Sequence, residues 1–122
     1  MSEWFKLAKE EFSEKDQERQ WTYSCLSSFT FKKRTINKIT ITDHTWKKKG
    51  REKITKKLIL ELLAYRINGE RLIPEPKKNP NWKRDHYVLK RISFGEEKYK
   101  LVFWFKDGTT NHLWVKNCHQ QD

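Results

Sequence analysis

His44 is the residue of this chain best suited to moving a proton. It follows Asp43, where an Ile- and Thr-rich stretch ends, and Lys48 and Arg51 come four and seven residues later. On a helix these three side chains share a face. An imidazole titrates near neutral pH and can take or give a proton. Ammonium and guanidinium groups offset negative charge. RNA cleavage calls for that combination. The 2′-OH is a built-in nucleophile, so the protein must supply a base, an acid and cations for the charge that builds on phosphorus. A second group of candidates falls late in the chain. His112 and Lys116 stand at even spacing, which places them on one face of a strand, and His86 and Tyr99 precede them. The same residues also fit a plain basic helix and an exposed strand histidine.

Other chemistries find less support. Cys25 and Cys118 are far apart and form no C-x-x-C motif, which predicts free thiols in a reduced, cytoplasmic protein. His112, Cys118 and His119 cluster near one end without the second ligand pair that a zinc site requires. No metal and no cofactor are therefore expected. Gly-rich phosphate loops and a Gly-x-Ser-x-Gly elbow are absent from the sequence.

Charge points to the partner. The 122 residues carry 27 Lys and Arg against 16 Asp and Glu, a net +11. Such an excess repels itself in the compact state and favours an anionic partner. The cations gather in two runs. Lys47, Lys49, Arg51 and Lys53 flank the His44 segment. Lys77, Lys78, Lys83 and Arg84 surround Trp82, an aromatic placed where it could stack on a base or anchor a loop. These nine residues are the predicted nucleic-acid contacts, with RNA or DNA as partner. An acidic inhibitor or antitoxin protein is the alternative. No segment approaches the roughly 20 apolar residues of a membrane span, and the start lacks the apolar run of a signal peptide.

The positioning elements follow from periodicity. Residues 2–19 read as a helix, with Trp4, Phe5, Ala8 and Phe12 at helical spacing. Residues 21–34 read as two extended pieces, with Ser27-Ser28 marking a turn and Lys32-Lys33-Arg34 a solvated edge. A strand is predicted over 35–42, irregular between Ile36 and Ile39. A short helix from His44 would end at Gly50. Thr55 caps an apolar helix over 55–67, stopped by Asn68-Gly69. Residues 70–82 hold all three prolines and read as a connector. The last third reads as a meander that turns at Gly95-Glu96-Glu97 and at Asp107-Gly108.

Ile41-Thr-Asp-His44-Thr-Trp-Lys-Lys48, followed by Ile54-Thr55 and an apolar helix, resembles the barnase–EndoU–colicin–RelE-like group of metal-independent ribonucleases, many of them bacterial or phage toxins. The resemblance covers residues 39–117. Glu52-Lys53 stands where that group has Arg-Gly before the Ile cap. The resemblance implies His44 and Lys48 as a helix-borne catalytic pair and Lys116 as a strand-borne partner. The expectation is one α+β domain: an antiparallel sheet of four or five strands packed against two or three helices, with its core over 35–118. Metal-independent endoribonuclease is the first function. Non-catalytic nucleic-acid binding and docking of an acidic protein stay open.

Overall fold

A computed structural model describes residues 4–47, 54–67 and 85–121. Among them, six strands form one sheet in the order β1-β2-β3-β6-β5-β4. Their bounds are β1 Phe5–Ser13, β2 Glu18–Phe31, β3 Arg34–Thr42, β4 Tyr87–Phe94, β5 Glu97–Phe105 and β6 His112–Gln121. Helix α1 spans His44–Lys47 and α2 spans Lys56–Leu62, and a π-turn continues α2 through Leu63–Ile67. The α+β class holds. The sheet is larger than four or five strands, and it is mixed rather than antiparallel.

The mixture arises where two antiparallel meanders meet. The last strand of the first, β3, runs parallel to the last strand of the second, β6, with Ile39 beside Leu113 and Ile41 beside Val115. Parallel neighbours cannot be joined by a tight turn and need a long connection. The helical segment after β3 lies within that connection. Asn111 carbonyl oxygen locks the start of the pair, accepting from the backbone N–H groups of Asn37 (3.0 Å) and Lys38 (3.2 Å).

The expected helix over 2–19 is a strand and a turn. β1 pairs antiparallel with β2 from Phe5 opposite Cys25 to Ser13 opposite Glu18. The spacing of Trp4, Phe5, Ala8 and Phe12 is compatible with a helix, but the 14-residue β2 offers a long ladder, and non-local pairing overrides weak local propensity. The bend is stabilised locally, with Ser13 Oγ accepting from the Asp16 N–H at 3.2 Å. β1 is an edge strand, and Lys6, Lys9, Glu10 and Glu11 lie exposed along it, a charge pattern that discourages further strand addition.

Ser27-Ser28 is not a turn. β2 runs straight through it, and the pairing with β3 slips between Ser24 and Phe29. The true reversal is Lys32-Lys33, which joins Phe31 to its partner Arg34. Both lysines have positive φ, 53° and 64°, a conformation that usually selects Asn or Gly. Cation–π contacts hold this turn in place: Lys32 Nζ lies 5.0 Å from the Tyr87 ring and the Arg34 guanidinium 4.9 Å from Phe105.

One face of the sheet carries the core. Ile36, Ile39, Ile41, Leu101, Phe103, Leu113 and Val115 are fully buried there, packed with Ile59, Leu62 and Leu63 of the helical segment. Phe31 meets Tyr87 and Phe103 edge-on, with ring centroids 5.2 Å apart in each case. Thr55 caps α2 as expected, its Oγ1 accepting from the Leu58 N–H at 3.1 Å. Burial of each such aliphatic or aromatic side chain stabilises by about 1.5–3 kcal/mol. The apolar run Leu58 to Leu63 is thus explained by a helix laid across a sheet. No helix of the described residues is long and apolar enough to cross a membrane.

Candidate active-site cleft

Alternation along the strands turns a second set of residues to the opposite face. Where β3 buries Ile39 and Ile41, it presents Thr40 and Thr42 on the other side. Thr22, Thr40 and His112 form a chain there: Thr22 Oγ1 and Thr40 Oγ1 are 2.8 Å apart, and Thr40 Oγ1 lies 2.7 Å from His112 Nε2. Beside this chain is an open cleft of about 430 Å³.

Five segments line the cleft. The β1–β2 turn contributes Lys15 and Asp16, β2 contributes Glu18, and the β3–α1 junction contributes Thr42 and His44. The β5 end and the following turn give Trp104, Lys106 and Asp107, and β6 gives Trp114 and Lys116. His44 and Lys116, 72 residues apart in sequence, therefore reach one cavity. The slip in the β5–β6 register between Val102 and Phe103 falls opposite Lys116, which has no direct partner in the ladder. Bulges commonly re-aim side chains in this way.

His44 is anchored from β2. Its Nε2 lies 2.8 Å from Glu18 Oε2, and the other carboxylate oxygen, Glu18 Oε1, accepts from Gln20 Nε2 at 2.9 Å. Glu18 is only 5% exposed, while the His44 side chain is 41% exposed. A carboxylate oxygen can only accept, so Nε2 is the donor in this contact. The second ring nitrogen, Nδ1, is then the acceptor in the neutral ring. A further hydrogen bond, from Thr45 Oγ1 to the Thr42 carbonyl at 2.8 Å, shapes the entry to α1. Thr42 Oγ1 lies buried at the cleft with no hydrogen-bond partner among the described residues.

His112 is placed differently from the exposed strand histidine considered above. It is 7% exposed, absent from the cleft wall and bonded to Thr40. Burial, then the nearby Lys106 and Lys38 charges, pushes its pKa down to about 4. It is a neutral group at pH 7, tying β6 to β3. Tyr99 is also buried, in the hydrophobic core, where burial followed by Glu97 and Cys118 raises its pKa. His86 stacks on Trp104 with centroids 4.9 Å apart. Burial raises the Cys25 thiol to about 12, which leaves it a thiol rather than a nucleophilic thiolate. No cluster of three or more His, Cys, Asp or Glu suited to a metal occurs among the described residues.

Lys48, Lys49, Arg51, Lys53, Lys77, Lys78, Trp82, Lys83 and Arg84 lie outside the described residues, as do the expected Gly50 and Asn68-Gly69 stops and the 70–82 connector. Lys47 closes α1. The sequence reading passed over Glu18, Trp104, Lys106 and Trp114. Only Trp104 and Trp114 left a signal, as large aromatics on strands whose opposite faces already supply the core.

The fold and site define a mixed-sheet α+β domain with a His–Glu pair, lysines and two tryptophans in a cleft on the face away from the core. Comparison with protein-family models, characterised proteins and solved structures finds no match.

Proposed function

We propose that the cleft binds RNA and cleaves it without a metal, by attack of the substrate's own 2′-OH on the adjacent phosphorus. The observation that carries this reading is the His44–Glu18 pair, 2.8 Å apart, opening into the same cavity as Lys106 and Lys116. His44 Nδ1 takes the 2′-OH proton, and Glu18 steadies the imidazolium that forms. Lys116 gives a proton to the departing 5′ oxygen as its bond to phosphorus breaks, and Lys106 offsets the charge on the pentacoordinate phosphorane. His112, neutral and buried, serves the fold.

The net charge of +11 equally favours the second reading, nucleic-acid binding without cleavage or docking of an acidic inhibitor protein. The deciding assay is purified protein on total RNA with EDTA present. Fragments ending in a 2′,3′-cyclic phosphate, or in its hydrolysis product, are expected. Intact RNA bound in a salt-sensitive manner would replace this reading with the non-catalytic one.

A further inference from the structure

Trp104 and Trp114 lie on the sheet face that the helices leave uncovered. They sit directly opposite one another on β5 and β6, yet neither belongs to the hydrophobic core cluster, which occupies the other face. Both line the cleft. Trp104 is 8% exposed and is backed by His86, whose ring stacks on it at an interplanar angle of 29°. Trp114 is partly exposed and has the buried His112 ring beside it at 6.3 Å and 39°. The two indoles are therefore held by neighbours rather than free to turn. Lys15, Lys106 and Lys116 lie on the same cavity beside the carboxylates of Asp16, Glu18 and Asp107, and these three lysines are where a phosphodiester chain would find its cations.

An aromatic wall flanked by cations suits one ligand class. Bases of a single strand have open π-faces that stack on aromatic side chains while the backbone tracks the positive charges. In a duplex those faces are covered by neighbouring base pairs, and the cleft would meet only phosphate and groove edges. We propose that Trp114, against the Trp104 wall, is a stacking subsite for an unpaired nucleobase, so that the cleft selects single-stranded substrate. The inference deepens the proposal that the cleft takes RNA and rests on it.

The test uses ligands that cannot be cleaved through a 2′-OH, so stacking and catalysis are read separately. Fluorescence anisotropy would compare the full chain's affinity for a labelled eight-nucleotide single-stranded DNA, the same strand in a duplex, and an abasic strand of equal length, at one salt concentration. Base stacking of about 1–3 kcal/mol corresponds to roughly 5- to 150-fold. The base-bearing single strand is expected to bind at least about 5-fold more tightly than the abasic strand and the duplex. Trp114→Leu, which keeps apolar bulk, should fall to the abasic level, whereas Trp114→Phe should retain most of the affinity. Equal binding of base-bearing and abasic strands to the unaltered protein overturns the subsite, with no variant needed. A base preference that survives in Trp114→Leu overturns its location. Absence of RNA cleavage beside an intact base preference would reject the ribonuclease reading and leave this one standing.

Discussion

The two faces of the sheet are made by alternate residues of the same strands, yet they differ in nearly every physical respect. One face is closed by α2 and its π-turn, with Ile39, Ile41, Leu101, Leu113 and Val115 fully buried. The other presents indoles, ammonium groups and the His44–Glu18 pair to an open cleft. Burying apolar area stabilises the fold, and that burial is concentrated on the helix-covered face. The open face also holds a buried carboxylate, Glu18, and a threonine hydroxyl, Thr42 Oγ1, without a partner among the described residues. Stability and candidate chemistry are thus divided by a strand's two-residue period.

The comparison breaks most readily at Leu62, on the closed face. Leu62→Ala removes a fully buried side chain and should cost about 2–5 kcal/mol. Chemical denaturation would measure this, and an unchanged midpoint would mean that α2 does not hold the sheet. Next in size is a pH effect beneath the open face. The folded pKa of His112, about 4, lies below its ordinary 6.5, so the unfolded chain takes up this proton first as pH falls. The contribution is fully present above pH 6.5 and is lost progressively down to about pH 4, in total roughly 3 kcal/mol. His112→Gln should flatten that part of the stability curve, and an equally steep decline in the variant would assign the acid sensitivity elsewhere. The smallest effect is expected at Thr42. Thr42→Val removes a hydroxyl without a described partner and should leave stability unchanged or raise it by at most about 1 kcal/mol. A loss larger than that would show that the hydroxyl is bonded in the folded protein.

What could be read in the sequence follows the same division. The Thr55 cap, the apolar helix, the β3 strand and the C-terminal meander rest on local patterns, and the structure contains them. β1 did not show itself, because an edge strand buries little and its apolar residues also fit a helical stripe. Leu7 and Phe12 are 46% and 51% exposed, so neither alternation nor burial marks that strand. The parallel β3–β6 pair depends on which strands meet in space and leaves no local trace. At the cleft, His44 and Lys116 stood out by residue type. Glu18 did not, since a carboxylate inside the polar run Ser13 to Gln20 reads as solvated until β2 folds beneath α1. His112 looked equivalent to His44 on composition, and only its burial and its bond to Thr40 distinguish them.

The most direct test of the account compares unaltered protein with His44→Gln on a defined single-stranded RNA, in EDTA. Glutamine is preferred to alanine because its amide can still donate to Glu18, so the buried carboxylate keeps a partner and the fold is preserved. The account predicts cleavage by the unaltered protein and a rate at least about 100-fold lower in His44→Gln, with similar thermal midpoints. Equal rates in the two proteins, or no cleavage by the unaltered one, would contradict it.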